Sequence, residues 1–428
     1  MATSDSIVSA GERAARARRP AILKGFARRM VLARLAALHD GRLVVEDGAD
    51  RIAFGEDIED AELRATVRVH DRRFYADLAL GGSVGAAESY VAGGWSADDL
   101  TTVMRLMVRN RDVMEAMESG LARATGPVRR LLHYFNRNTR AGSRRNIAAH
   151  YDLGNDFFEL VLDRSMMYSC AIFERPDATL DEAATAKLER ICRKLELGPA
   201  DHVIEIGTGW GGFAIYAARN YGCRVTTTTI SRRQHDFAAA RIAGAGLSDR
   251  ITVLLDDYRD LSGQFDKAVS IEMIEAVGHH FLDAYFHKCA ELLKPEGMML
   301  LQAITIADQH YESALRSVDF IKEYIFPGSF IPSVAAIAES IARACDLRIF
   351  HLEDITPNYS ETLKHWRLNT FANLERVRAL GYPDEFLRMW EYYLCYCEGG
   401  FRERYIGDVQ MLLTKPRNRR APILPALG

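Results

Sequence analysis

Eight consecutive residues carry the sharpest chemistry in this chain: Glu205-Ile206-Gly207-Thr208-Gly209-Trp210-Gly211-Gly212. A short apolar run, HVIEIG, leads into them, and a helical run, GGFAIYAARNYG, leads out. Glycines at such a junction let the backbone turn tightly and approach a ligand closely. In open α/β sheets the ligand sits outside the carboxyl ends of the strands.

The loop fits two templates. Gly207, Gly209 and Gly212 satisfy the dinucleotide pattern G-x-G-x-x-G. Glu205-x-Gly207-x-Gly209-x-Gly211 fits the loop of S-adenosylmethionine (SAM) methyltransferases equally well. A dinucleotide site wants an acid about 20 positions on, for the ribose. The strand there is RVTTTTIS, which has none. Glu205 itself suits the ammonium of a methionine tail, through charge-assisted hydrogen bonds. Asp256-Asp257-Tyr258 ends the next strand. An acid and an aromatic there suit an adenine amine and its ring. The residues favour SAM over a nicotinamide cofactor, and both over a turn that binds nothing.

These residues need a scaffold, and the text around them supplies one. From 200 to 306 strands and helices alternate: HVIEIG, GGFAIYAARNYG, RVTTTTIS, RRQHDFAAARIAGAG, ITVLLDDY, DKAVSIEMIEAVG, HHFLDAYFHKCAELLKPEG and MMLLQAITI. Such alternation implies a parallel sheet with helices on both faces. Two late strands, DLRIFHLED and DVQMLLTKP, complete it. An aromatic-rich insertion occupies 307–345 and includes Phe320, Tyr324, Phe326 and Phe330. Core packing explains it, and a lid over an acyl pocket is the sharper expectation.

Three zones are expected. Residues 1–110 read as a small α+β domain that opens with a basic stretch including Arg13, Arg16, Arg18, Arg19, Lys24, Arg28, Arg29 and Arg34. Apolar residues interleave at helical spacing, which suggests an interfacial helix that meets anionic lipid heads. Residues 111–145 read as a basic helical linker, and 146–428 as the catalytic domain.

Composition narrows the classes. The 428 residues are 48% hydrophobic and 26% charged with a net charge of -3, which excludes wholesale disorder and a globally basic nucleic-acid binder. No stretch reaches the roughly 18 apolar residues of a transmembrane helix. The N-terminus lacks the apolar core of a secretory signal. Cys170, Cys192, Cys223, Cys289, Cys345, Cys395 and Cys397 are scattered and odd in number. They read as reduced thiols in the cytoplasm. Neither Cys395-Tyr396-Cys397 nor the adjacent His279 and His280 makes a convincing metal site, so none is expected.

Further motifs carry a family resemblance. They are His150-Tyr151-Asp152-Leu153-Gly154-Asn155-Asp156-Phe157-Phe158, Met167-Tyr168-Ser169-Cys170-Ala171, the glycine loop, and Thr229-Ile230-Ser231 with Gln234. Ile274-Glu275-Ala276-Val277-Gly278-His279, Ile325-Phe326-Pro327-Gly328, Pro357-Asn358-Tyr359 and Phe401-Arg402 follow in order. The chain resembles the cyclopropane-fatty-acyl-phospholipid synthases and the mycolic acid cyclopropane synthases over about 146–416. Gly82-Ser83 and Glu88-Ser89-Tyr90 resemble the extra N-terminal domain of the longer, phospholipid-acting members.

The resemblance implies a Rossmann-like class I SAM-methyltransferase fold, with a seven-stranded mixed sheet and a smaller N-terminal α+β domain. It implies methyl transfer from SAM to the cis double bond of an unsaturated phospholipid acyl chain at the inner membrane face. A cation then loses a proton to bound bicarbonate and the ring closes. A methylene- or methyl-branched product is the close alternative, and a lipid-surface protein with a vestigial SAM domain is the non-enzymatic one. A homodimer is compatible.

By the same resemblance, Cys170 offers bicarbonate a backbone contact, Glu275 accepts its hydroxyl, Ile304 gives a backbone N–H and Tyr359 a phenol. Gln302 stands where the family commonly has histidine. Its amide can still donate, but it cannot hold a proton as imidazolium. Tyr168, Ser169, Gly207, Gly209, Thr229, Ile230 and Gln234 match SAM-contacting positions, and Asp257 and Tyr258 take the adenine end. Taken alone, Cys170 is an inert buried thiol and Glu275 a helix cap.

Overall fold

The computed structural model describes residues 21–56, 63–118 and 154–423. The tail before residue 21, the basic run at 129–145 and the His150-Tyr151-Asp152 motif lie outside these residues. The chain forms two compact units. One contains Met1–Phe135, Arg316–Pro327 and Leu363–Tyr405, and the other Asn136–Leu315, Gly328–Thr362 and Ile406–Gly428. The units therefore interleave along the sequence, unlike the contiguous zones read from composition.

In the first unit β1 (Arg42–Asp47), β2 (Asp50–Gly55), β3 (Arg64–Val69) and β4 (Trp95–Ala97) form a sheet of order β2-β1-β3-β4. Asp47, buried at the end of β1, accepts from Arg28 at 2.7 Å, Arg72 at 2.8 Å and Tyr75 at 3.3 Å. Burial opposes its ionisation, yet the two guanidiniums win and hold the carboxyl below its usual range. Arg28 thus serves the fold, although the sequence places it in a lipid-facing stretch. On the helix Ala21–Leu35, Ala27, Val31 and Leu35 are buried, while Phe26 stays 57% exposed and Arg29 and Arg34 face solvent.

A late helix, Asp384–Arg402, joins this unit for a steric and an electrostatic reason. Gly399 lets it approach Leu100–Arg109 so closely that a Cβ there would lie 2.7 Å from the Cβ of Met104. Glu398 on the same helix is buried and accepts from Thr101, Arg367 and Arg402, each at 3.0 Å. A buried carboxylate needs such partners to be tolerated. Phe320 and Tyr324 pack in this unit too, with Phe320 against Tyr392 and Tyr396.

The second unit holds a seven-stranded mixed sheet with helices. Its strands are β5 (His202–Ile206), β6 (Arg224–Thr228), β7 (Ile251–Leu254), β8 (Phe265–Ile271), β9 (Leu293–Ile306), β10 (Arg348–Asp354) and β11 (Ile406–Thr414). Their order is β10-β11-β9-β8-β5-β6-β7. The five strands from β9 to β7 run parallel, and β11 is antiparallel to both its neighbours. Strand order reverses at β5, which makes its carboxyl end the switch point where such sheets bind ligands.

Apolar strand residues Val203, Val225, Val269, Leu300 and Leu412 share one core with Leu188, Ile191, Phe213 and Ala217 of two helices. Full burial of one such side chain is worth about 1.5–3 kcal/mol. Thr179 and Glu182 form a reciprocal cap that starts the helix Leu180–Lys194. That helix supplies two buried lysines, Lys187 to Ser169 and Lys194 to Gln410 on β11.

Candidate active site

The glycine loop emerges from β5 at the switch point. Gly207, Gly209 and Gly211 have φ of 103°, 51° and 84°. Those values favour glycine. The N–H groups of Gly207 and Thr208 both donate to the carbonyl of Thr228, at 3.1 and 2.9 Å, so the loop is tied to the end of β6. A Cβ at Gly209 would meet nothing within 4 Å, whereas one at Gly212 would lie 2.5 Å from the Ser165 carbonyl. Gly209 therefore faces open space and Gly212 serves packing. Trp210 donates to Asn155 at 2.9 Å, and Phe158 lies against both Trp210 and Tyr168.

Glu205 is buried, and Thr227 donates to its Oε2 at 2.6 Å. Burial pushes this carboxyl up to about 8, with the Thr227 bond pulling the other way. An arriving ammonium would favour the ionised form. Thr229 Oγ1 donates to Gln234 Oε1 at 2.8 Å, and the Ser231 side chain caps the helix Arg232–Gly244. Ile230 lies half-buried between them. Asp257 is buried, caps the turn Tyr258–Asp260 and takes Arg259 at 2.6 Å. Arg259 also lies over the Tyr258 ring, which meets Tyr285 edge-on. Sequence reasoning missed Arg259.

The other expected residues converge on a second carboxylate cluster. Met273 links it to the loop, because a Cβ on Gly207 would lie 3.2 Å from the Met273 Cγ. Ile304 N–H donates to Glu275 Oε1 at 2.7 Å. The backbone N–H of Cys170 donates to Glu272 Oε1 at 2.8 Å, Gln302 Nε2 donates to the same oxygen at 2.8 Å, and Tyr359 O–H donates to Glu272 Oε2 at 2.6 Å. Glu272 was not among the residues singled out from sequence. Its signal was its place, one residue beyond β8, where parallel sheets carry their ligand groups.

Three further residues were also missed. Asp408 on β11 is fully buried, and burial and then Glu272 push its carboxyl far up. Lys187 is fully buried, donates to Ser169 at 2.6 Å, and is pushed down by burial against the pull of Glu272. Gln410 Nε2 donates to Gln302 Oε1 at 3.0 Å, while its own Oε1 accepts from Lys194 at 2.8 Å. Lysine can only donate. Lys194 thereby orients both amides and turns the Gln302 NH2 toward Glu272.

Burial pushes Glu275 up to about 8, and the charge of Glu272 adds to it. Its Oε2 is buried with no hydrogen-bond partner. Burial also raises the Cys170 thiol far above its usual range, so its backbone matters and its sulfur is inert. His279 bonds the Tyr311 phenol at 2.7 Å. Among the described residues no group of three or more His, Cys, Asp or Glu is placed to hold a metal.

The glycine loop fits SAM: Gly209 leaves the space and Glu205 the acid. Bicarbonate does not fit the second cluster. Three of the donors expected to hold it are directed at Glu272, and the fourth, Ile304 N–H, at Glu275. A second anion would compete with Glu272 for its own donors and be repelled by its charge.

Comparison with known proteins agrees with the fold. A family model described as mycolic acid cyclopropane synthetase matches residues 138–411. The chain is 38% identical over 341 residues to the tuberculostearic acid methyltransferase UfaA1 of Mycobacterium tuberculosis, spanning 78% of this chain and 79% of that one. It is 37% identical over 363 residues to the cyclopropane-fatty-acyl-phospholipid synthase of Escherichia coli K12, spanning 82% and 88%. The cyclopropane synthase MmaA2 from Mycobacterium tuberculosis matches with a TM-score of 0.60 at 30% identity, covering 64% of this chain and 98% of that one. The mycolic acid cyclopropane synthase CmaA1 complexed with SAH and CTAB matches at 0.58 and 32%, with the same coverage.

Proposed function

Because the chain belongs to the mycolic acid cyclopropane synthetase family, we propose that it methylates the cis double bond of unsaturated phospholipid acyl chains and closes a cyclopropane ring. The class is a SAM-dependent methyltransferase. The observation that carries the substrate reading is the carboxylate cluster of Glu272, Glu275 and Asp408 beside the glycine loop. A methyl transfer to nitrogen or oxygen can also use a proton acceptor, but it creates no carbon cation. Transfer to an alkene creates a carbon cation, which needs a nearby negative charge and a proton acceptor.

SAM, when bound, supplies an electrophilic methyl group on sulfur. Gly207, Gly209 and Gly211 let the backbone approach it, Glu205 faces its ammonium, and Asp257 with Tyr258 takes its adenine. An alkene is a weak nucleophile, so Tyr168, Ser169 and the loop must hold the reactants in a near-attack geometry. Burial favours the neutral carboxyls of Glu275 and Asp408, and three donors converge on Glu272. Water must stay out, because it would capture the cation. We place the lipid contact on the exposed side of the helix Ala21–Leu35, on the inner membrane face.

A second reading keeps the transfer and loses the ring. UfaA1, at 38% identity, is named for a methyl-branched acid. One experiment separates the two: purified protein, dioleoyl phospholipid vesicles and methyl-labelled SAM, with the lipid read by proton NMR. High-field cyclopropane signals, lost in Glu275→Ala, support the synthase. Label without those signals moves the product to a methylene or branched chain. No label in lipid overturns the lipid reading.

A further inference from the structure

We propose that the Glu272 carboxylate is itself the base of the reaction, standing where the family resemblance implies bicarbonate. The inference rests on the lipid-methylation reading and names the proton acceptor within it.

Geometry carries the argument. A bound anion in such a site would be recognised by converging N–H and O–H donors. Those donors exist here and converge on a side chain: Cys170 N–H and Gln302 Nε2 at 2.8 Å on Oε1, and Tyr359 O–H at 2.6 Å on Oε2. The backbone N–H of Glu272 donates to the Gln302 carbonyl at 2.9 Å, which fixes the side chain's root. Gln302 therefore grips Glu272 by backbone and amide together.

The backbone adds an independent sign. Glu272 has φ of 46°, in the region that favours glycine. Holding a non-glycine residue there costs on the order of 1 kcal/mol, and such strain persists where the surroundings over-determine it. At Glu272 the three donors that converge on the carboxylate are the surroundings that hold this conformation.

The step balances simply. The methyl–sulfur bond breaks and its electron pair stays on sulfur, leaving a neutral thioether. The alkene's π pair forms the new carbon–carbon bond and leaves a carbon cation. A C–H bond of the new methyl then breaks. Its pair closes the third side of the ring, and the proton passes to Glu272. Glu272 is only partly buried, so the proton can leave to water once the product has gone.

The test is Glu272→Gly, which suits the backbone and frees the donors for an external anion. In buffer stripped of carbon dioxide, with dioleoyl phosphatidylglycerol vesicles, wild-type turnover should match that in bicarbonate. Glu272→Gly should lose ~100-fold or more in kcat with SAM affinity unchanged, and added bicarbonate should restore at least ~10-fold. Glu272→Gln, which fills the space, should fall as far without rescue. A second readout needs no turnover: the carbon signal of 13C-bicarbonate should broaden with Glu272→Gly and not with wild type. Bicarbonate-dependent turnover or bicarbonate binding by wild type overturns the proposal and leaves the lipid reading standing. Full activity of Glu272→Gly in stripped buffer overturns it too. Failure of wild type to label lipid at all overturns the lipid reading and this step with it.

Discussion

Tyr359 and Glu272 stand 87 residues apart in sequence, and a phenol O–H donated across 2.6 Å to a carboxylate oxygen joins them. Tyr359 lies near the start of the helix Thr356–Ala372, and Glu272 just beyond β8. One element thus restrains the acid carried by another. A hydrogen bond to a charged group contributes about 1.5–3 kcal/mol. Tyr359→Phe should therefore lower kcat about 10- to 150-fold while leaving SAM affinity within about twofold. Turnover on vesicles and calorimetry with SAM measure the two. Unchanged turnover would remove Tyr359 from the site.

Gln410 acts at one remove, as a positioning residue. Its amide is set by Lys194 and in turn sets Gln302. Gln410→Leu should lower kcat about 10-fold by freeing the Gln302 amide to flip, at a stability cost of about 1–3 kcal/mol for the unpaired groups. The discriminating measurement is a double-mutant cycle. Gln302→Leu with Gln410→Leu should be no slower than Gln302→Leu alone. Additive losses would show that Gln410 only supports the fold.

The parts of this molecule written locally were legible. The loop from Glu205 to Gly212 carries its own pattern, and strand alternation from 200 to 306 announces the sheet. Cys170, Glu275, Gln302, Ile304 and Tyr359 were named from sequence, and the fold gathers them. Glu272 was not, although it lies three residues before Glu275. Its left-handed backbone is invisible in the text, and its partners come from 102, 30 and 87 residues away. Lys187 reads as one more charge on an amphipathic helix until the fold buries it beside Ser169. The interleaving of the two units is hidden in the text for a related reason. Glu398 and Gly399 show their partners, Thr101 and Met104, only once the distant helices meet.

Glu205 makes stability depend on pH. Its folded carboxyl titrates at about 8 against an ordinary 4.5, because burial penalises the charge. The folded protein holds a proton that the unfolded chain releases, so this contribution is full below pH 4.5 and is lost as pH rises through 8. The slope is about 1.4 kcal/mol per pH unit for each such group. Glu275 behaves alike, with a value of about 8. Glu205→Gln should therefore flatten the fall of melting temperature between pH 5 and 8, by up to about 1.4 kcal/mol per pH unit in stability. It should also weaken SAM binding, through loss of the carboxylate proposed to face the ammonium. An unchanged slope would place the Glu205 carboxyl in its ordinary range.

The membrane proposal can be tested on residues whose places in the helix are known. Ala27, Val31 and Leu35 hold one side of the helix Ala21–Leu35 in the core. Arg28 is committed to Asp47 and Asp50, at 2.7 and 2.8 Å. That leaves Phe26, Arg29 and Arg34 outward, an apolar ring beside two cations. Each cation near an anionic surface contributes about 1 kcal/mol, screened over a Debye length. Phe26→Asp with Arg29→Glu and Arg34→Glu should thus weaken sedimentation with phosphatidylglycerol vesicles at least ~10-fold at low salt. Binding by wild type should fall as salt rises, and SAM affinity should not change in either protein. Arg28→Ala should instead lower the melting temperature, because the buried Asp47 loses a partner. If the triple variant binds vesicles as wild type does, the lipid contact lies elsewhere on the chain. If deletion of residues 1–34 also leaves binding unchanged, the N-terminal segment has no part in it.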